Sequence, residues 1–220
     1  CQYSSQDYAE DWNGPYMGFD RAELIVHGHF HKVCTPMYPP KGQHFERWYF
    51  GHGASPEEVQ ALWAEELTPG VGAAQTWESA LPVSWHSSTW LGDRMAAFLA
   101  EQDGETPFMA WVSFPDPHHP FDCPAPWSRL HHPDEVDISS THEEDLDRRP
   151  WWHRASLEGE PQMTDPELVR FRKHASRMPT QTDEQLRHMT ANYYGMISLI
   201  DHNVGRILDA LDASGLADDT

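Results

Sequence analysis

Apolar residues recur at helical spacing in the last part of the chain. From Leu186 to Leu211 they return every three or four positions, which places them on one face of a helix. Thr182 and Gln185 form a capping-box pattern before the run, and Gly215 follows its end. This one-sided pattern predicts a long helix that packs on a sheet.

Two shorter helices are predicted earlier in the chain. Ser55 and Glu58 form another capping-box pattern, and the helix that they begin is expected to run to about residue 67. Residues 89–102 form the other helix, which is followed by Gly104. Its apolar face, which is expected to contact the core, consists of Leu91, Met95, Phe98 and Leu99.

Two apolar runs have the composition of strands. Residues 108–114 read FMAWVSF between Pro107 and Pro115, and an unbroken run of this length predicts a strand buried on both faces of a parallel sheet. Residues 22–26 predict a second, shorter strand. Because a helix precedes the buried strand, the pattern indicates an α/β fold with a mixed, mainly parallel sheet flanked by helices.

The remaining segments show neither the helical spacing of apolar residues nor an unbroken apolar run. Residues 27–53 are predicted to be an irregular excursion rich in His, Pro and Gly, and residues 71–84 are predicted to be a loop. Residues 122–180 are polar and are predicted to be a surface insertion, with a short helix near residues 165–175. All of these segments are assigned to one domain.

Both ends of the sequence have the character of cuts. The chain begins with Cys1 and without a leader pattern, and it stops at Thr220 just after a helix stop. We therefore expect residues 1–220 to be an internal fragment of a catalytic domain, incomplete at both ends.

The charge and cysteine content narrow the possible functions. The chain has 35 acidic and 15 basic residues and a net charge of −20, which disfavours binding to nucleic acid. An anionic substrate would need a local group of cations or a metal. The three cysteines do not form a disulfide framework or a Cys-x-x-Cys zinc pattern, and no apolar stretch reaches the roughly 20 residues of a membrane span.

The sharpest candidate for chemistry is the loop FPDPHHPF, which directly follows the predicted buried strand. Ligands of α/β proteins bind beyond the carboxyl ends of the strands. Prolines on both sides would hold His118 and His119 in place, and an imidazole there could protonate a leaving group or bind an anionic ester oxygen. A proline-rich surface turn with two solvated histidines is the competing interpretation.

Other side chains are weaker candidates. His27, His29 and His31 would share one face of an extended segment and could bind zinc or copper, but no fourth ligand accompanies them. His131 and His132 are predicted to be surface residues. In the last helix, Asp201 is expected to form a structural hydrogen bond or an ion pair with Arg206, packed against the sheet.

Two segments resemble a known family. The run PFMAWVSFPDPHHPF, from Pro107, resembles the central strand and following loop of bacterial arylsulfatases and choline-sulfatase-like enzymes. The run YYGMISLIDHNVGRILDALDASGL, from Tyr193, resembles the long helix before the second metal-ligand strand of that family. Weaker likeness runs through residues 18–24, 44–48 and 85–99. The chain thus resembles the sulfatases of the alkaline-phosphatase-like superfamily, and the resemblance implies that fold.

The resemblance assigns roles to few residues of this chain. In sulfatases, the histidine after the central strand contacts the sulfate group and assists departure of the leaving group. His118 occupies that position, and His119 is the neighbouring candidate if the register differs by one. His202 stands where the family often has Asp, at a site that we expect to be structural.

The family's nucleophile and metal ligands are expected outside this chain. The resemblance implies a formylglycine nucleophile, a divalent cation, usually calcium, and a small sulfate ester as substrate. Cys34-Thr35-Pro36-Met37-Tyr38 imitates the start of the nucleophile signature, but Met37 and Tyr38 stand where Ser and Arg are required, so we reject it. No metal ligand is assigned within residues 1–220, and the chain alone is expected to lack esterase activity.

Three alternatives remain open at this stage. A phosphonate monoester or phosphodiester hydrolase of the same superfamily would share the fold and the histidine loop. A degenerate relative would bind an ester without turning it over. A non-catalytic metal-binding domain would use His27, His29 and His31, and it predicts stoichiometric binding of zinc or copper.

Overall fold

The computed structural model describes ten parts of the chain: residue 9 and residues 11–25, 44–51, 55, 57–58, 61–62, 71–140, 146–151, 164–166 and 181–220. Within these parts, three helices and two strands carry the architecture. They are α1 (His44–Phe50), β1 (Thr76–Ser79), α2 (Ser87–Ala100), β2 (Phe121–Pro124) and α3 (Asp183–Ala213). Short 3-10 helices occupy Val83–Trp85, Trp127–Arg129, Pro133–Glu135, Leu146–Arg148 and Ala217–Asp219. No helix in the described ranges is both long enough and apolar enough to cross a membrane.

The two strands form a parallel pair. Thr76 lies opposite Phe121 and Ser79 lies opposite Pro124. A parallel pair requires a crossover connection, and α2 lies within the connection between β1 and β2. This arrangement confirms the α/β class predicted from the sequence.

Helix α3 confirms the best-patterned prediction. Thr182 caps it, accepting a hydrogen bond from the backbone N–H of Gln185, whose side chain bonds back to the Thr182 backbone. Its end is followed by Gly215, whose φ of 69° lies in the left-handed region that favours glycine. The helix packs on both strands and on α2, as the one-sided apolar pattern predicted.

Two close approaches position α3. A Cβ added at Gly195 would lie 2.5 Å from the carbonyl oxygen of Trp127 and 2.9 Å from Cys123 Sγ, so only glycine lets the helix lie this close to β2. On α2, a Cβ added at Gly92 would lie 2.6 Å from Asn203 Oδ1. Asn192 adds a polar clamp, because its side-chain amide donates to backbone carbonyls of both strands, at Trp77 and Phe121.

The earlier helix predictions hold within the described ranges. Helix α2 agrees with the prediction for residues 89–102, apart from an earlier start at Ser87 after the cap residue His86. Ser55 and Glu58 exchange the two hydrogen bonds of a capping box, at 3.0 and 3.2 Å. Residues 57–58 and 61–62 are helical, and the rest of that predicted helix lies outside the described residues.

Three local predictions were wrong. Residues 22–25 form no strand, and the predicted irregular excursion contains α1. The N–H groups of His44 and Phe45 both donate to Leu24 O, so this apolar run is bonded to the start of a helix instead of to a strand. The predicted loop over residues 71–84 contains β1, a strand too short and too polar to be recognised from its sequence.

The prediction for residues 108–114 was also wrong. The segment is not a strand, and within the described part of the structure no backbone hydrogen bond joins it to another segment. Met109 is 73% exposed and Trp111 is 72% exposed. The physical reason is that no other described segment lies beside it as a strand, since a strand needs backbone partners as well as apolar side chains.

The segment predicted as a surface insertion begins inside the fold. Asp122, Cys123 and Pro124 are buried in β2, and Val136 is buried nearby. These residues are therefore not at the surface. The division of the chain into one domain with an insertion stays a prediction, and most of residues 141–180 lie outside the described residues.

An aromatic cluster forms the core beside α1 and α2. Its side chains pack edge to face and stacked, with Phe45 at 5.4 Å from Trp90 between ring centroids. The buried members are Phe45, Tyr49, Leu81, Trp90 and Leu91. Val112 and Phe114 pack against this cluster from one side, which orients the chain leading into the histidine loop.

Candidate active site

The histidine loop connects the exposed apolar segment to β2. The backbone N–H of His118 donates to Pro115 O at 3.2 Å, which closes a β-turn with Asp116 and Pro117 at its corners. After the loop, the N–H of Phe121 donates to Gln75 O at 2.7 Å, and β2 begins. The loop is thus held at both ends by backbone hydrogen bonds.

The structure brings His118 and His119 together. Their rings stack with centroids 4.1 Å apart, and His118 Nδ1 lies 2.5 Å from the carbonyl oxygen of His119. A carbonyl oxygen only accepts, so Nδ1 carries a proton and donates, and proton exchange falls to Nε2. His118 is exposed and His119 is half-buried.

The two histidines differ in their electrostatic environment. Burial lowers the pKa of His119 below its usual range, and the nearby charge of His118 lowers this pKa further. Near neutral pH, His119 therefore stays uncharged. The ring of His118 is the more exposed of the two, so it is the member of the pair that an anion can reach.

The corner of the turn is anchored in the interior. Asp116 is 5% exposed, and its Oδ2 accepts a short hydrogen bond from the hydroxyl of Ser88. His86 Nδ1 lies 3.6 Å from the same oxygen and accepts from the Ser88 N–H at 3.3 Å. Ser88 lies in the first turn of α2, where the N-terminal end of the helix dipole stabilises a negative charge.

A cavity of about 820 Å³ opens beside the loop, and His118 is among its lining residues. Most of the lining is apolar or aromatic, including Tyr16, Phe19, Leu24, Trp90, Phe98 and Trp111. One wall is the backbone and side chains of residues 109–113. The cavity therefore offers a largely apolar space next to a single imidazole.

The arginines that line the cavity are paired with carboxylates. Arg94 Nε lies 2.5 Å from Glu23 Oε2, and Arg21 donates to Glu23 at 3.1 Å and to Glu101 at 2.7 Å. Burial alone would raise the pKa of Glu23, but the hydrogen bonds and charges of the two arginines lower it on balance. These charges neutralise one another, so His118 is the described lining residue best suited to meet an anionic ester.

The described residues do not supply a metal centre. Across the ranges given above, no three His, Cys, Asp or Glu side chains are arranged to hold a metal ion. The divalent cation implied by the resemblance therefore has no cluster of three such ligands among the described side chains, and no step is assigned through it. His27, His29, His31 and Cys34 lie outside the described residues.

The structure also describes the weaker candidate residues His131, His132 and Asp201. His131 is partly exposed, with Nε2 at 3.0 Å from Ser198 Oγ, and His132 is exposed as predicted. Asp201 is exposed, and the ion pair predicted for it with Arg206 is wrong.

Arg206 instead bonds to residues on both long helices. It donates to Asp93 Oδ1 at 2.5 Å and to Asn203 Oδ1 at 3.0 Å. His202 is exposed and lies against Trp127, with ring centroids 5.2 Å apart. This contact agrees with the structural role expected for His202.

Comparison with known proteins identifies the family. The sequence model of the Sulfatase family matches residues 27–220. The chain belongs to the sulfatase family. The match includes the histidine loop and the whole of α3, the two segments whose sequences carried the resemblance.

Two relatives of this sulfatase-family chain cover only part of it. It is 25% identical over 194 residues to the multifunctional alkaline phosphatase superfamily protein PehA of Trinickia caryophylli, covering 83% of this chain and 35% of that protein. It is 24% identical over 127 residues to the uncharacterized sulfatase YidJ of Escherichia coli, covering 56% of this chain and 22% of that protein. The chain thus spans well under half the length of these relatives.

A solved structure supports the fold assignment. The crystal structure of the phosphonate monoester hydrolase of Agrobacterium radiobacter matches with a TM-score of 0.51 and 28% identity, over 70% of this chain and 29% of that chain. The alkaline-phosphatase-like α/β fold predicted from the sequence is therefore confirmed.

The sequence interpretation missed the anchor of the histidine loop, which is the hydrogen bond from the Ser88 hydroxyl to the Asp116 carboxylate. Asp116 was part of the recognised motif, but His86 and Ser88 lie 28 or more residues away and fell only within the segment of weaker likeness over residues 85–99. One signal was available: Asp116 is an acidic residue placed between prolines directly after an apolar run. A carboxylate there is either solvated or held by a specific partner.

Proposed function

We propose that this sulfatase-family chain is part of a sulfuric ester hydrolase in which His118 acts as the general acid. The observation that carries the proposal is the presentation of His118, which is exposed at an apolar cavity on a turn held by buried groups. Its Nδ1–H donates to the His119 carbonyl, so Nε2 is the atom that exchanges a proton with the substrate.

The proposed step concerns the departing oxygen of the ester. As a nucleophile supplied by the complete protein forms a bond to sulfur, the bond between sulfur and the departing oxygen breaks and its electron pair moves to that oxygen. The Nε2–H of protonated His118 then transfers its proton to the oxygen. The alcohol or phenol leaves neutral and the imidazole is left neutral. A divalent cation and the nucleophile would come from the complete protein and are not assigned to residues of this chain.

A second candidate is a phosphonate monoester hydrolase of the same superfamily. The observation in its favour is the likeness in fold and sequence to the Agrobacterium radiobacter enzyme of that name. The same proton transfer from His118 would serve that reaction, because both esters release an oxygen leaving group. The two candidates differ in the group that the rest of the site must bind.

The complete protein separates these candidates. We expect it to hydrolyse 4-nitrophenyl sulfate with a higher kcat/KM than 4-nitrophenyl phenylphosphonate, and the reverse order would favour the second candidate. With either ester, His118→Ala should lower kcat by roughly 10²-fold, the usual contribution of a positioned acid. His119→Ala serves as the neighbouring control and should cost much less.

A change of leaving group makes this test specific for an acid. Phenyl sulfate has a poorer leaving group than 4-nitrophenyl sulfate and depends more on protonation. The loss caused by His118→Ala should therefore be larger for phenyl sulfate. Equal losses for both esters would assign His118 to binding instead of proton transfer, and full activity of the variant would remove it from the mechanism.

A further inference from the structure

A buried carboxylate lies directly beneath the exposed histidine. The side chain of Asp116 is fully buried, two residues before His118 in the same β-turn. Removing a carboxylate from water costs several kcal/mol unless other groups compensate for the lost hydration. An apolar side chain could fill the same space without that cost, so the charge at this position calls for an explanation.

Groups at the start of α2 compensate for the burial of Asp116. The hydroxyl of Ser88 donates to Oδ2, and Ser88 is itself fully buried, at 0% exposure. His86, the cap residue of α2, is also buried, and its Nδ1 accepts from the Ser88 N–H at 3.3 Å, so it holds Ser88 in place and does not itself donate to the carboxylate. The first turn of a helix adds the favourable end of its dipole. These contacts are directional, so they fix the orientation of the carboxylate as well as its depth.

The anchor acts on the turn that carries His118. Asp116 and Pro117 are the corner residues, and the His118 N–H to Pro115 O hydrogen bond closes the turn. The side chain of Asp116 points to α2, whereas the side chain of His118, two residues later, is exposed. A fixed corner therefore restricts where the imidazole can lie, whereas a turn without the anchor could move relative to α2.

We propose that Asp116 is a positioning residue, whose carboxylate, held by Ser88 at the first turn of α2, fixes the turn that presents His118 to the ester. This inference rests on the proposed function of His118. It does not depend on whether the ester is a sulfate or a phosphonate. Misplacement of a reacting group by about 1 Å can cost as much as 10²-fold in rate, so an anchor of this kind can control kcat.

A double-mutant cycle in the complete enzyme tests the inference, with 4-nitrophenyl sulfate and 4-nitrophenyl phenylphosphonate as probes. Asp116→Ala should lower kcat roughly 30-fold and change KM less than about two-fold, because the reacting geometry is disturbed more than binding is. In the His118→Ala background, Asp116→Ala should cost less than about two-fold, since residues that act as a unit are not additive.

Two gentler variants keep the test open if Asp116→Ala does not fold. Ser88→Ala removes the hydroxyl but leaves the carboxylate, and Asp116→Asn keeps the shape but removes the charge. Each should lower kcat roughly three- to ten-fold, and each loss should again vanish in the His118→Ala background. The matched control is Glu78→Gln, another buried carboxylate, which should keep kcat within about two-fold.

The outcomes separate the inference from the proposed function. If His118→Ala lowers kcat but the losses from Asp116 and Ser88 variants multiply with it, Asp116 acts through the fold and the inference is overturned. Wild-type kcat in Asp116→Ala overturns it as well. If His118→Ala itself keeps full activity, the proposed function fails first, and the inference fails with it.

Discussion

Residues 108–114 lead into the histidine loop and β2 follows it, and the apolar segment contrasts with the strand pair β1–β2 in both sequence and environment. The first segment is apolar, yet Met109 and Trp111 are more than two-thirds exposed. The strands read TWES and FDCP, and both contain a carboxylate, yet Glu78 is 3% exposed and Asp122 is 4% exposed. In this chain, composition and burial do not go together.

The difference lies in the partners of each segment. Strands β1 and β2 bond to one another, and Asn192 on α3 bonds to a carbonyl on each of them. Arg129 donates two hydrogen bonds to Glu78, and the Ser128 hydroxyl adds a third. Residues 108–114 have apolar contacts with the aromatic core but no such backbone partners among the described residues. Pairing thus decides what becomes a strand.

Amide hydrogen exchange is the most direct test of this difference between the unpaired segment and the packed elements. In the 220-residue chain, the amides of residues 108–114 should exchange close to the unfolded rate. Those in the buried middle of α3, near Met196 and Leu199, should exchange at least about 10³-fold more slowly. Exchange resolved by NMR or mass spectrometry would measure both, and equal protection of the two regions would contradict the difference described above.

The same measurement on the complete protein sharpens the point. If residues 108–114 form the strand that their sequence predicts, they should gain protection when the rest of the polypeptide provides neighbouring strands. Unchanged rapid exchange there would show that this apolar run is not part of a sheet in either context.

Substitution at Gly195 tests how tightly the paired region is packed. Gly195→Ala should lower the free energy of unfolding by about 2 kcal/mol, because its Cβ would overlap a backbone carbonyl and a buried sulfur. Gly205→Ala is the control, since a Cβ there meets nothing within 4 Å and should stabilise the helix by about 0.5 kcal/mol. Chemical denaturation measures both, and a destabilising Gly205→Ala would contradict this assignment.

A third test concerns the buried carboxylate of β1. Hydrogen bonds from Arg129 lower the pKa of Glu78 below its usual 4.5, overcoming the opposite effect of burial. Glu78→Gln should lower the free energy of unfolding at pH 7 by about 1.5 kcal/mol, since charged hydrogen bonds are lost.

The sign of the pH dependence follows from the direction of that shift. A lowered folded-state pKa adds stability that is fully present above the ordinary glutamate pKa and is lost as the pH falls through the lowered value. The difference between wild type and Glu78→Gln should therefore shrink below about pH 4. Denaturation at a series of pH values measures it, and a difference that grows in acid would contradict the assignment.

The smallest expected effect on stability is at Trp111, in the exposed apolar segment. Trp111→Ser should change the free energy of unfolding by less than about 0.5 kcal/mol, because its side chain is mostly in water. It should nevertheless reduce self-association, which light scattering measures, because it removes part of an exposed apolar patch. Trp151→Ser is the control at another exposed tryptophan, 80% exposed, and should leave association unchanged.

The helices could be predicted because their signals are local. Capping boxes at Ser55 and Thr182, a closing glycine at Gly215 and an apolar face repeating every three or four residues all lie within a few turns of the chain. The histidine loop could be singled out for a similar reason, since its prolines and its place after an apolar run are adjacent in sequence.

The strands and the anchor could not be predicted because their determinants are distant in sequence. Thr76 pairs with Phe121, and Ser88 holds Asp116 across 28 residues. A four-residue strand has too few positions to show alternation, and a buried carboxylate is recognised only once its donors are known. The apolar run at 108–114 shows the converse, a strong local signal without a partner among the described residues.

The two glycine contacts have a consequence for how α3 can move. Gly195 fits against the loop after β2, and eight residues later Asn203 fits against Gly92 on α2. A slip of one helical turn, about 5.4 Å, would put a side chain where the contact at Gly195 requires none, and it would move Asn203 away from Gly92. The long helix is therefore held in register at two separate points. A displacement of α2 should move α3 as a rigid body, and with it the strands on which α3 packs.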